Sequence, residues 1–539
     1  MQSGHSGSSP SVAIVGAGPG GLSTAMILAA SGARVTVFET MDRVGGRTSR
    51  VTATAEGGDQ YHFDRGPTFF LMPYVLDEVF AAAGEKLTDH VELHRLDPMY
   101  RLLIGQPGQR PAQIDTTQDI AEMARRIGKL SQKDAETFPR FIAENRKKLQ
   151  LSEPILRKAM RSPLDLVDVK NLPLLPLLKP HKSVHDLLGE YFTDERVKLA
   201  VSFQSKYLGM SPFECPSLFT ILPLIEYEYG VWHPMGGCHA ICHAMARVAE
   251  KHGAEIRLST PVERVTFMGN QATGVLANGQ SEQFDAVVMN ADASWAIKNL
   301  IPASVRTGKN AGYTDESMDK KKYSCSTAML YLGVEGEIDL PHHTIYTSGA
   351  YRQNLDDIAV NRKLSEDPSV YLCNASGIDK SLAPAGNSSL YVLAPTPNLE
   401  RGPDGSVVDW ESQWPAYRES ILDQIEDKFG IGDIRGRVRA ETVIRPPEWE
   451  GMNINHGATF NLAHNLGQML HWRPQNKLKG FERLYMVGGG THPGSGLPTI
   501  FLSSQISSGL LCKDLGMGCT LDDVPVTPVS EREPEAVEV

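Results

Sequence analysis

Apolar positions along this chain come in short runs separated by glycine-rich turns. Residues 12–15, Val-Ala-Ile-Val, predict a buried strand. A helix-like stretch follows over 20–31, and the alternation of 34–38 predicts a second strand ending at Glu39. Strand, helix and strand with short connections begin a parallel sheet. The stretch 116–198 predicts mostly helix and is locally basic through Arg125, Arg126, Arg140, Arg146, Lys147 and Lys148. Inside it, 172–180 reads Leu-Pro-Leu-Leu-Pro-Leu-Leu-Lys-Pro, apolar but proline-broken and too short to span a bilayer. Residues 236–252 predict a helix, and 255–258, 262–267, 272–276 and 286–289 predict short strands, with a hairpin turn over 268–271. Residues 323–334 and 389–394 suit strands of a second sheet, and 484–487 is an apolar strand that runs into glycines. Residues 1–10 read as a flexible lead, and the Pro- and Glu-rich tail, 516–539, reads as disordered.

Composition adds limits rather than an answer. A length of 539 residues favours two domains over one core. The net charge of -11 argues against a general nucleic-acid binder, so no nucleic-acid partner is expected. Seven cysteines without a regular framework suit a reducing compartment. No secretory signal and no apolar run long enough to cross a membrane is visible, which predicts a cytoplasmic chain, soluble or lying on a membrane.

The chemistry starts at Gly16-Ala17-Gly18-Pro19-Gly20-Gly21, which fits the dinucleotide fingerprint G-x-G-x-x-G. Gly16 permits the tight turn, Gly18 lets backbone approach a pyrophosphate, and Gly21 lets helix and sheet pack closely. Gly20 lies at the helix start, whose free N–H groups and dipole suit phosphate. Glu39 ends the next strand at the spacing expected of a ribose ligand. These residues alone leave NAD and FAD both open. Cys238-His239-Ala240-Ile241-Cys242-His243 looks metal-like, but its spacing fits neither haem attachment nor a zinc site, so it reads as structural and no metal is assigned.

The segment after the fingerprint, Asp42-Arg43-Val44-Gly45-Gly46-Arg47-Thr48, resembles the second signature of FAD-containing amine oxidases, desaturases and their relatives. Phe63-Asp64-Arg65-Gly66-Pro67-Thr68 resembles the segment that runs near the flavin in that family. Leu484 through Pro498, with Val487-Gly488-Gly489-Gly490-Thr491-His492-Pro493-Gly494-Ser495-Gly496-Leu497-Pro498 at its centre, is similar to the signature of bacterial and fungal phytoene desaturases and related carotenoid-modifying enzymes. Gly230-Val231-Trp232-His233-Pro234-Met235-Gly236-Gly237 and the stretch 368–397 agree with that family, so the resemblance runs from about Ser11 to Lys513. The departures, including His233 and Met235, fall in side chains expected along the substrate route.

That resemblance implies an α/β fold, with a Rossmann-like FAD-binding domain of the amine oxidase/phytoene desaturase type and a discontinuous α+β substrate domain. The implied division is 11–100, 231–305 and 481–515 for FAD, and 101–230 and 306–480 for substrate and membrane contact. Non-covalent FAD is implied, held by Gly16, Gly18, Gly20, Gly21, Glu39, Gly46, Arg47, Gly66, Pro67, Thr68, Val262, Gly489, Gly490, Gly496 and Leu497. Arg47 is expected by the pyrophosphate, where its guanidinium forks onto phosphate oxygens. Val262 is expected by the adenine, and the helix beginning near Leu497 by the flavin pyrimidine edge. His492 is the candidate catalytic side chain, as base, polariser or motif-shaping residue.

The implied reaction inserts C=C bonds into a hydrophobic polyene, phytoene or its C30 counterpart, by hydride transfer to flavin, with oxygen or a quinone as terminal acceptor. A carotenoid isomerase, ketolase or oxygenase, a flavin amine oxidase, and a non-catalytic prenyl-binding escort protein are the competing readings. A membrane surface is an expected partner, with 172–180 and the basic residues Arg157, Lys158, Arg161 and Lys170 as the expected contact.

Overall fold

The computed structural model describes residues 9–166 and 178–526. Most of the proline-broken segment therefore lies outside the described residues. A five-stranded, wholly parallel sheet runs in the order Leu484–Met486, Ala286–Met289, Ser11–Val15, Arg34–Phe38, Glu255–Arg257. It is covered on both faces, which is why its central strands read as unbroken apolar runs. Val12, Ile14, Val35 and Val37 face Leu22 and Met26 of the helix Pro19–Ala30. Ala13, Val15, Val287 and Met289 face the opposite layer, where the antiparallel strands Val262–Met268, Gln271–Ala277 and Gln280–Gln283 contribute Val265, Ala272 and Val275. The hairpin expected at 268–271 is present, with Met268 opposite Gln271. Helices Cys238–Lys251 and Leu497–Leu515 flank Pro19–Ala30.

A second, mixed sheet has seven strands in the order Val438–Ile444, Ser326–Val334, Ser388–Thr396, Val370–Cys373, His343–Thr347, Arg101–Gln106, Gln109–Asp115. Ser326–Val334 is buried at every position. Trp410–Phe429 covers one face through Tyr417, Ile421, Leu422 and Ile425. A helical layer that includes Gln132–Leu156 and Ile221–Tyr229 completes the domain-scale packing. The tail is more ordered than its composition suggests up to residue 526: the turn Thr520–Asp523 is tied down where Thr520 N donates to Ser31 Oγ at 3.0 Å.

The Cys238–His243 cluster lies at the start of the helix Cys238–Lys251. The first amides of that helix, Cys238 N and His239 N, donate to the Asp64 carboxylate at 2.8 and 3.0 Å. A carboxylate at a helix N-terminus satisfies orphan donors and the dipole together.

Glu226 is fully buried in the helical layer. Its Oε2 accepts from Tyr100 Oη at 2.8 Å and from Gln204 Nε2 at 3.0 Å. Burial pushes its carboxyl up from 4.5 to about 7, against the pull of those donors. Below the ordinary value both folded and unfolded chains hold the proton; between the two values only the folded chain does. This group's contribution to stability is therefore present at acid pH and lost as pH rises through about 7. Relative to Glu226→Gln, which keeps an acceptor and removes the titration, the wild type should lose about 3 kcal/mol of stability between pH 4.5 and 7.5. Urea unfolding of both proteins across that range checks this, and parallel curves would refute it.

Candidate active site

The strand Ser11–Val15 ends in the fingerprint turn. Gly16 takes φ 101°, and its N–H donates to Phe38 O at 2.7 Å. A Cβ on Gly21 would lie 2.1 Å from Gly16 O, so only glycine allows the helix this close to the strand. Gly18 caps the helix Pro19–Ala30 without any side-chain bond, leaving its N-terminal amides open to the cavity beyond. Glu39 is 6% exposed; its Oε2 accepts from Ala17 N at 2.7 Å and its Oε1 from Met41 N at 2.9 Å. Burial raises the Glu39 carboxyl, opposed by these amide bonds.

Arg47 approaches from the next loop, where Gly45 and Gly46 have φ 108° and 52°. Its Nη1 donates to Thr459 O at 2.7 Å. The hydrogen-bond network orients the Asn461 amide so that its oxygen accepts from Arg47 Nη1 and Nη2 at 2.9 and 3.0 Å while its nitrogen donates to Asp292 Oδ2 at 2.5 Å. Burial pushes the Arg47 guanidinium down and the Asp292 carboxyl up, and their mutual attraction opposes both shifts. Gly66 then passes Arg47 so closely that a Cβ would sit 2.7 Å from Arg47 O. Tyr391 Oη donates to Gly66 O at 2.8 Å, and Thr68 Oγ1 and Tyr371 Oη share a hydrogen bond of 2.6 Å. These contacts join the nucleotide segment to the seven-stranded sheet.

The C-terminal motif supplies a second helix start. Gly496 caps Leu497–Leu515 with no side-chain bond. Ser495 Oγ donates to Phe460 O at 2.6 Å, and the buried Arg473 donates through Nη2 to Gly489 O at 2.7 Å. Burial pushes the Arg473 guanidinium down to about 9.

One cavity of about 670 Å³ joins these parts, a size usual for a small-molecule site. Gly16, Gly18, Gly20 and Glu39 line it, as do Gly46, Arg47, Gly66, Pro67 and Thr68, and so do Val262, Gly489, Gly496 and Leu497. Beyond Thr68 its wall becomes apolar and aromatic, through Phe69, Phe203, Tyr207, Ile345, Leu355 and Leu393.

Three expected residues do not line it. Gly21 serves helix packing, and Gly490 passes Ala293, where a Cβ would meet the Ala293 Cβ at 2.4 Å. His492 is 1% exposed and turned toward the helix Gln132–Leu156, with Nε2 3.3 Å from Ile155 O. Burial pushes its imidazole down to about 4, so it is neutral at ordinary pH. The expectation of a catalytic ring in the cavity is thus corrected to a ring in the interface between motif and helix. His233 and Met235 are also away from the cavity wall: His233 Nε2 lies 3.4 Å from Asp379 Oδ2, and Met235 N donates to Glu92 O.

Asn290, Asp292, Thr459 and Asn461 line the cavity and were not singled out from the sequence; Arg65, which also lines it, entered only within the segment Phe63–Thr68. Asn290 Nδ2 donates to Gly16 O at 3.0 Å, and the buried Arg65 leaves its Nε without a protein partner. A buried His/Cys group, His342, His343 and Cys373, lies behind Phe69, whose ring stacks on His343 at 3.9 Å. Burial keeps both imidazoles well below their ordinary value and uncharged.

The residues present fit a flavin dinucleotide. Two uncapped helix N-termini and Arg47 form an anion cradle, Glu39 faces the cavity as a diol acceptor, and the orphan Arg65 Nε points to a polar occupant. Residues 19–312 match the family described as flavin containing amine oxidoreductase. The chain is 40% identical over 502 residues to a 4,4'-diapophytoene desaturase (4,4'-diapolycopene-forming) of Methylomonas sp, covering 93% of this chain and 94% of that one. It is 38% identical over 531 residues to the all-trans-zeta-carotene desaturase of Myxococcus xanthus, covering 98% of each. Its fold resembles a solved oxidoreductase from Methanosarcina mazei, with TM-score 0.60 at 18% identity over 92% of this chain and 98% of that one. The chain belongs to the flavin containing amine oxidoreductases and, within them, to the carotenoid desaturase family. It is an FAD-dependent oxidoreductase acting on CH–CH bonds.

Proposed function

We propose that the protein desaturates a linear C30 polyene of the diapophytoene type, with the nucleotide in the glycine-lined part of the cavity and the polyene in its aromatic part. The carrying observation is continuity: the anion cradle and the apolar chamber are one cavity, meeting at Thr68 and Tyr371. The substrate class follows the Methylomonas relative, which is named for 4,4'-diapophytoene.

In this reading Gly16, Gly18, Gly20 and Arg47 hold the pyrophosphate, Glu39 the ribose and Val262 the adenine side. Gly489, Gly496 and Leu497 border the reactive ring. FAD, when bound, supplies the hydride acceptor for a C–H bond beside a conjugated system. The protein's own share is orientation and exclusion of water. Phe69, fixed by its stack on His343, and Tyr207 and Leu355 give the polyene a dry wall. Tyr371 Oη, between Thr68 Oγ1 and His343 Nδ1 at 2.6 and 2.7 Å, ties the cradle end of the cavity to this aromatic wall.

A membrane-surface reading has separate support. Among the described residues no helix is long and apolar enough to cross a membrane. Leu164 is 77% and Trp472 54% exposed, and Gln475 Nε2 donates to Arg161 O at 3.1 Å, bringing their segments together. Leu164 lies shortly before the proline-broken segment in sequence. Arg157, expected to face lipid, instead pairs with Glu78 and Glu153.

Cells supplied with dehydrosqualene and expressing this chain should accumulate coloured products with lengthened conjugation, read from pigment spectra. A parallel phytoene supply tests chain length. Unchanged, colourless precursor in both cultures, with FAD-loaded protein present, would overturn the proposal.

A further inference from the structure

The chamber assigned to the polyene contains one charge that a hydrocarbon cannot satisfy. Lys206, on the turn Phe203–Leu208, lines the cavity. Its Nζ sits 4.8 Å from the centre of the Tyr351 ring. Among the described residues no carboxylate pairs with it, and the Cys325 thiol is its electrostatic neighbour. Lys148 shows the contrast: it is buried where Lys206 is half-buried, and its Nζ donates to Thr220 Oγ1 at 2.8 Å.

Its place in the cavity matters. Tyr371, bonded to Thr68, pairs with Ile345, and the next register step outward pairs Val370 with Tyr346. Tyr346 lines the chamber there with Leu355 and Ile358, and Leu355 belongs to the helix Tyr351–Asp356 that carries the ring facing Lys206. Lys206 therefore stands on the polyene side of Thr68, away from the fingerprint turn. Burial brings its ammonium down to about 8, which leaves it protonated at neutral pH. A half-buried protonated amine facing an apolar chamber gains from an acceptor, and a π-face meets that need only in part.

We infer that Lys206 receives a carboxylate at the end of a linear polyene, so that this chamber takes oxidised, acid-terminated polyenes. The inference rests on the placement of the polyene proposed above. It assigns the chamber a polar end and Lys206 a binding role, distinct from hydride transfer.

The test uses FAD-loaded protein, a linear all-trans polyene monocarboxylic acid and its methyl ester, with affinities read from the polyene absorption band. Native protein should bind the acid about ten- to a hundredfold more tightly than the ester, the usual weight of a charge-assisted bond out of water. Lys206→Met should bring the ratio of dissociation constants near one, and Lys206→Arg should keep most of the preference. Equal binding of acid and ester by native protein, or a preference that survives Lys206→Met, overturns the inference. Flavin absorbance and melting temperature check each variant's folding, and the native acid–ester comparison decides even if one fails to fold. Loss of the desaturase reading would show in the pigment cultures; loss of this inference alone would leave those cultures coloured.

Discussion

Arg47→Met should give a colourless protein that is about 1–3 kcal/mol less stable than the wild type, the usual cost of leaving a buried polar or charged group without its partner. Arg47 is the cation facing Asp292, a carboxylate that is 8% exposed and reached through the Asn461 amide. Methionine fills most of the space but leaves Asp292 uncompensated. It also removes the guanidinium from the cavity wall, where a pyrophosphate would need it. The two losses separate in a double variant. Arg47→Met with Asp292→Asn should recover most of the stability, because the orphan charge is gone, yet still purify without flavin. Urea midpoints and the flavin absorbance of the purified proteins read the two effects. A single variant that stays yellow and stable would show that Arg47 neither balances Asp292 nor holds the cofactor.

Much of this site was legible because its parts are local. The fingerprint turn, Glu39, Arg47 and the Gly488–Pro498 motif each carry their meaning within a few residues, and the parallel-sheet strands 12–15 and 286–289 are apolar because both their faces are covered. What stayed hidden depends on contacts between distant segments. Asp292 caps its helix in the ordinary way, through Trp295 N at 3.1 Å, and only the fold brings it toward Arg47 and Asn461. Lys206 carries no motif in the sequence, and only the fold places it on the cavity wall without a carboxylate partner among the described residues. The second sheet was mostly illegible for another reason. Gln109–Asp115 is polar and contains Pro111, which an edge strand tolerates, and His343–Thr347 buries His and Thr side chains that do not read as core. His492 misled in the opposite direction: its motif borders the cavity, but its ring turns to Ile155.

The two glycines of the fingerprint turn should fail differently, and that difference tests the placement of the cofactor. A side chain at Gly21 meets backbone, since a Cβ would stand 2.1 Å from Gly16 O and 2.8 Å from Asn290 Nδ2. The carbonyl belongs to the turn itself and has nowhere to move, so Gly21→Val must push the helix Pro19–Ala30 off the strand. A loss of at least about 3 kcal/mol is expected, at or beyond the upper end for overpacking, together with loss of flavin. At Gly18 a Cβ would find only Asn290 Nδ2 at 3.2 Å, the end of a flexible amide, and Gly45 O at 4.0 Å. Gly18→Ala should therefore melt within a few degrees of the wild type. Its methyl would nonetheless stand in the cavity at the uncapped helix start, where backbone must approach phosphate closely. A stable but flavin-poor Gly18→Ala beside an unstable, flavin-free Gly21→Val would separate a glycine that faces the cofactor from one that only lets the fold close. If Gly18→Ala binds FAD as the wild type does, the pyrophosphate does not lie against this turn.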